Sequence, residues 1–146
     1  MELEPLKQWY CDACSQIIRS AEDGWLEWLP FAEGTNDSYG FRIVHNDGAC
    51  MYDRQLNLMK DSRTVRDNHL SYFLGAEGLV YLLHVMEHET HQKSPELIDI
   101  IKRLQIPYYE EGRKYLVREW QQGIFTVSDK TPDGLKRLID EYTGEE

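Results

Sequence analysis

Cys11, Cys14, His45 and Cys50 are the residues whose types and spacing most directly suggest chemistry. Three cysteines are an odd number, so a closed disulfide framework would leave one thiol over, and a shared metal ion uses them better. Cys11 and Cys14 form Cys-x-x-Cys, the spacing at which a tight turn presents two thiolates to one ion. Cys50 adds a third sulfur after thirty-five intervening residues. His45 stands five residues before Cys50 in RIVHNDGAC, where Asn46-Asp47-Gly48 offers a turn that can bring imidazole and thiolate to one point. Asp47 or a water molecule is the alternative fourth ligand. Four protein ligands would leave no coordination position for substrate, so the expected ion is a structural zinc. The plainer alternative is that the cysteines are small buried hydrophobes and His45 merely ends a strand.

The elements that must position these ligands can be read from the gap between them. WLEWL at 25–29 and YGFRIV at 39–44 are rich in aromatic and branched residues and are expected to be short strands, with the loop PFAEGTNDS at 30–38 between them. A strand pair with a ligand turn on either side resembles the zinc-ribbon family over residues 7–52. That resemblance implies an antiparallel β-ribbon organised by the metal, with His-x4-Cys in place of the second Cys-x-x-Cys. WYCDAC also loosely resembles the WCxxC site of thioredoxin-like oxidoreductases, but only ten residues precede Cys11 and no parallel-sheet pattern surrounds it.

From residue 51 the pattern turns helical. MYDRQLNLMKDS is expected to be a linker or short helix, and NHLSYFLGAEGLVYLLHVMEHETHQ an amphipathic helix with Leu79, Leu82, Leu83 and Met86 on its apolar face. His84, Glu87, His88 and His91 recur along it, and His84 to His88 reads His-x-x-Glu-His, a motif similar to that of the inverted-zincin metalloproteases. The resemblance would make His84 and His88 metal ligands and Glu87 a catalytic group. At about 100 degrees per residue, however, this row falls opposite the leucines and is expected to face solvent. A second metal at His84, His88 and His91 is therefore the lesser expectation.

Ser94-Pro95-Glu96 and Thr131-Pro132-Asp133 are both helix starts, each with a capping hydroxyl, a proline in the first turn and an acid favoured by the helix dipole. Pro107 divides the region between them into one helix ending near Leu104 and another, YYEEGRKYLVREWQQ, ending at Gly123. ELIDIIKRLQIPYYEEGRKYLVREWQQGIFTVSDK resembles winged-helix proteins. The resemblance would place Tyr108, Tyr109, Arg113 and Lys114 against nucleic acid and make GIFTV a β-wing. Glu110 and Glu111 would then carry the wrong charge toward phosphates. The competing expectation is an ordinary helical core of Ile98, Ile101, Leu104, Leu116 and Trp120. Taken together, CxxC, FRIVH, GLVYLL and RLQIPYYEE also look like a family of small bacterial proteins, a resemblance that carries no activity.

These elements add up to an α+β chain, with a zinc-stabilised antiparallel β-ribbon at 1–55 and a helical part at 56–146 packed together as one unit. At 146 residues and 41% hydrophobic content the chain is long enough to bury its own core. A net charge of −10 disfavours non-specific contact with nucleic acid or anionic membranes. The opening MELEPLKQWY lacks the order of a secretory signal and no apolar run approaches a bilayer span, so the expected location is the cytoplasm. With no phosphate loop and no nucleophile elbow, a non-enzymatic regulatory or binding protein is expected. Its partner is more readily a protein than nucleic acid; Trp9, Trp25 and Trp28 are candidate anchors, with core packing an equal expectation for each.

Overall fold

The computed structural model describes residues 1–30, 37–52, 65–90, 94–123 and 126–144. Two antiparallel sheets lie among them. Strands β1 (Trp9–Tyr10) and β2 (Ile17–Ile18) form a hairpin around the Cys-x-x-Cys turn, with Trp9 opposite Ile18. Strands β3 (Gly24–Leu29), β4 (Tyr39–His45) and β5 (Arg66–His69) form a sheet in the order β4-β3-β5. Its centre is the strand expected at WLEWL. Glu27 pairs with Arg42 on one side and Asp67 on the other, so β3 is covered from both edges. The expected loop at 30–38 and linker at 51–62 fall largely outside the described residues.

Four α-helices follow among the described residues: α1 (Gly75–Glu89), α2 (Pro95–Gln105), α3 (Tyr109–Gln122) and α4 (Pro132–Thr143). The serine and threonine starts behave as capping chemistry requires: Ser94 Oγ accepts from the Leu97 amide and Thr131 Oγ1 from the Gly134 amide. Gly123 ends α3 in the left-handed conformation, at φ +71°, and its N–H returns to the last turn. No helix among the described residues is long and apolar enough to cross a membrane.

The expected helix from Asn68 begins later than its sequence suggests. Residues 66–69 form the edge strand β5 and Leu70–Phe73 a 3-10 turn, so α1 starts only at Gly75. The Arg-Asp-Asn-His run is polar because it is an edge strand, and it carries no hydrophobic period by which to recognise it. The apolar face of α1 is slightly rotated from the expected one: Leu82 is buried and Leu79 and Met86 are half-buried as expected, but Gly78 and Val85 join them and Leu83 is exposed. Gly78 explains the rotation, since α1 packs so tightly on the Phe73 main chain that any Cβ there would overlap backbone. Gly78→Ala gains about 1 kcal/mol of helix propensity but meets an obstacle that no side chain can yield to. A net loss of about 2 kcal/mol is expected, measurable by urea unfolding.

One hydrophobic cluster joins the sheets to the helices: Trp9, Leu26, Trp28 and Ile43 pack with Leu82, Leu97, Ile100 and Leu104. Trp9 and Trp28 are therefore core residues and not surface anchors, and Trp25 is half-buried, stacked on His69 at 4.6 Å. A smaller cluster of Tyr115, Leu138 and Ile139 docks α4 on α3. In the C-terminal helices Leu97, Ile100 and Leu104 are buried, while Ile98, Ile101 and Leu116 are only half-buried and Trp120 is exposed.

Candidate metal centre

The turn after β1 reverses at Ser15, held at φ +66°, with the Ser15 N–H on the Cys11 carbonyl and the Cys11 N–H on the Gln16 carbonyl. This places the Cys11 and Cys14 sulfurs on one side of the hairpin. His45 ends β4, and in the turn that follows the Asp47 carboxylate accepts from the Ala49 and Cys50 amides. Asp47 is thus occupied in shaping the turn. The ligand atoms of Cys11, Cys14, His45 and Cys50 lie within 4.8 Å of one another. His45 Nδ1 is 3.4 Å from Cys14 Sγ and 3.8 Å from Cys50 Sγ. A tetrahedron with metal–sulfur bonds of about 2.3 Å has sulfur–sulfur edges of roughly 3.8 Å. The four donors fit such an ion with small adjustments.

The tautomer of His45 is set by its surroundings. Nε2 lies 3.2 Å from the Ile17 carbonyl oxygen, which can only accept, so Nε2 carries the proton and Nδ1 turns its lone pair to the sulfurs. All three cysteines are free thiols; Cys11 and Cys50 are buried and Cys14 is exposed. Burial opposes ionisation of Cys11, but the main-chain amides of the turn and the His45 side chain outweigh it and bring its pKa down to about 7. Burial and the neighbouring Cys11 and Cys14 sulfurs push Cys50 up to about 12. Burial acts to lower the His45 pKa, yet the Cys11 sulfur and the Ile17 carbonyl prevail and raise it. Three sulfurs this close cannot all ionise without a cation among them.

Two ion-pair networks hold the ligand turns, and neither was expected. Glu27, fully buried in β3, accepts from Arg42 Nε at 2.8 Å and from the Tyr52 amide at 3.0 Å. Arg42 in turn donates through Nη2 to the Cys50 carbonyl at 2.9 Å and lies over the Tyr52 ring. The carboxylate inside Cys-x-x-Cys, Asp12, accepts from the Ile43 amide and from Arg103 Nη1, at 2.8 and 2.7 Å. Arg103 also forks onto Glu110 at 2.7 and 2.8 Å. A lone acid in WLEWL facing a lone base in YGFRIV was a signal for the first network. Asp12 and Arg103 are 91 residues apart, and nothing local links them.

The other expected site residues are not brought into a comparable arrangement. His84 and His88 are exposed with their rings 4.4 Å apart, Glu87 is exposed, and His91 lies outside the described residues. Tyr109 is buried and donates its hydroxyl to Asp99, which also accepts from Arg113 Nη1 at 2.8 Å. Tyr108 is half-buried, with φ +69°, and Lys114 is exposed. Glu110 and Glu111, expected at the front of a recognition helix, are buried, and Glu111 accepts from the Glu2 and Leu3 amides. Residues 124–125 of the expected wing lie outside the described residues. Thr126 caps a 3-10 turn over Val127–Lys130, and no strand is found there among the described residues.

Compared with known proteins, the chain matches no protein-family model, no curated protein and no solved structure.

Proposed function

We propose that Cys11, Cys14, His45 and Cys50 hold one zinc ion as a structural pin in a ribbon-like N-terminal unit, and that the protein works by binding another protein and not by catalysis. The observation that carries this reading is the convergence of four donors within 4.8 Å. Three thiolates and one imidazole in a tetrahedral arrangement suit zinc, and with all four positions taken by the chain the ion would have no place for substrate. Free thiols on this scale suit a reducing compartment, in keeping with the cytoplasm.

The exposed face of α1 supports the choice of a protein partner. Val80, Tyr81 and Leu83 are exposed there, with Tyr72 just before the helix, while the opposite face is in the core. These apolar side chains, set among the exposed Glu77, His84, Glu87 and His88, suit partial cover by a protein surface. Two other readings have less behind them. A winged-helix regulator would need the front of α3 to meet phosphates, yet Glu110 and Glu111 are buried there among Arg103 and the N-terminal amides. A hydrolase using His84, Glu87 and His88 would need a protected cleft, and all three are exposed.

Elemental analysis of the purified protein tests the metal, with about one zinc per chain expected and almost none in Cys11→Ser. A salt-dependent shift of a DNA probe, lost on changing Arg113 and Lys114 to alanine, would instead favour the regulator. The thiol chemistry adds a calorimetric prediction. With Cys50 near 12 and Cys11 near 7, the metal displaces thiol protons at neutral pH, and its affinity falls as pH drops through 7 and Cys11 regains its proton. Zinc titrations in two buffers of different ionisation enthalpy should give different heats, and identical heats would contradict thiolate ligation.

A further inference from the structure

A cleft of about 510 Å³ opens between the end of α2, the outer face of α3 and the Val127–Lys130 turn. Its walls are largely apolar, formed by Ile106, Leu116, Val117 and the rings of Tyr109 and Trp120. Trp120 is 66% exposed and Val117 56%, a large apolar area to leave facing water. The charge around it runs against the rest of the molecule. In a chain of net charge −10, the cleft is lined by Lys102, Arg113, Lys114 and Lys130 but by one acid, Asp99. Asp99 is already engaged, accepting from Arg113 and the Tyr109 hydroxyl.

Lys102 and Lys114 carry the argument. Their ammonium groups lie 5.8 Å above the Tyr109 ring and 5.0 Å above the Tyr115 ring, and among the described residues neither forms an ion pair. A ring face orients a cation without neutralising it. Several bases elsewhere meet carboxylates, as Arg42 on Glu27, Arg103 on Glu110 and Lys136 on Asp140, while Arg118 shares the Tyr115 ring with Lys114. Two cations without acidic partners among the described residues, beside an apolar cavity whose volume falls in the range of about 300–1,000 Å³ typical of ligand pockets, form a site for one kind of molecule. We infer that this cleft binds a small amphipathic anion, an aryl or acyl group bearing a carboxylate or sulfonate. The apolar body would lie against Val117 and Trp120 and the anion between Lys102 and Lys114. The site is independent of the metal centre.

The test uses the full chain, purified with its metal, and the fluorescent probe 1-anilinonaphthalene-8-sulfonate. Saturable binding at one site is expected, with energy transfer from tryptophan and displacement by dodecanoate below its micelle concentration. Reversing both cations, Lys102→Glu with Lys114→Glu, should weaken the probe about tenfold or more. Trp120→Ala should weaken it and remove much of the energy transfer. Arg19→Glu, an exposed base outside the cleft, should leave binding unchanged, and circular dichroism of every variant separates loss of the site from loss of the fold. The inference is overturned by non-saturable binding, by equal affinity in the charge-reversed variant, or by equal affinity for the neutral probe N-phenyl-1-naphthylamine. It is also overturned if an acidic leucine-rich peptide displaces the probe and dodecanoate does not, since the cleft would then receive a partner's segment.

Discussion

Cys50→Ser is expected to strip the protein of its metal and lower its thermal midpoint by roughly 20 °C or more. The size of the effect follows from comparing two quantities. Structural zinc sites of this composition contribute about 10–16 kcal/mol of apparent binding free energy at neutral pH, whereas a whole domain is stable by about 5–15 kcal/mol. Here the ion would join a hairpin of two-residue strands to the end of β4, and strands that short do not hold together alone. Cys50 is buried, as Cys11 is, and its turn is also tied inward by Arg42 and Asp47, so its loss should disturb packing as well as the metal. The exposed Cys14 should cost the same metal but less packing. Chelator treatment of the unaltered protein should reproduce the lowered midpoint. A chelated protein that melts where the native one does would show that the four donors stabilise nothing.

Much of this centre could be read before any coordinates, for a physical reason. Metal ligation requires particular side chains at tight spacings, and Cys11, Cys14, His45 and Cys50 announce themselves by type. Strands β3 and β4 were legible from their aromatic and branched residues, and α2 and α4 from Ser94-Pro95 and Thr131-Pro132, because caps are local chemistry. What the sequence concealed is non-local. β5 is a polar edge strand whose only reason to exist is β3 beside it. The rotation of α1 depends on how closely Gly78 meets Phe73 across a turn. Glu110 and Glu111 looked like the solvated front of a helix, and only the fold shows that Arg103 and the N-terminal amides await them. Trp9 suits an anchor or a core residue by type alone, and only the fold decides, its indole donating to the Arg103 carbonyl at 3.0 Å inside the core.

Arg103 is where the helical part takes hold of the Cys-x-x-Cys turn, and its removal should be the most costly single change outside the four candidate ligands. The side chain is 3% exposed. Its Nε and Nη2 fork onto Glu110, Nη1 reaches Asp12 at 2.7 Å, and Nη2 also donates to the Tyr10 carbonyl at 3.1 Å. Burial works against the charged guanidinium, but the hydrogen bonds and charges of Glu110 and Asp12 outweigh it and raise its pKa, so it stays charged. Arg103→Met keeps the volume and removes every donor, leaving the buried Glu110 carboxylate only the Tyr10 amide at 3.2 Å and Arg113 Nε at 3.6 Å. A loss of about 3–5 kcal/mol is expected in urea unfolding. Arg103→Met with Glu110→Gln should lose less than the two single losses summed, since the second change removes the charge whose nearer partner the first took away. The consequence for the site comes through Asp12, which sits between the candidate ligands Cys11 and Cys14 and fixes the hairpin to β4 through the Ile43 amide. With Arg103 gone that carboxylate loses its tether to α2, and zinc affinity measured against a chromophoric chelator should fall about tenfold, the scale on which groups behind the ligands act. A variant that unfolds more easily yet binds zinc as tightly as before would mean that the two halves share a core but that the charge network does not couple the helices to the metal.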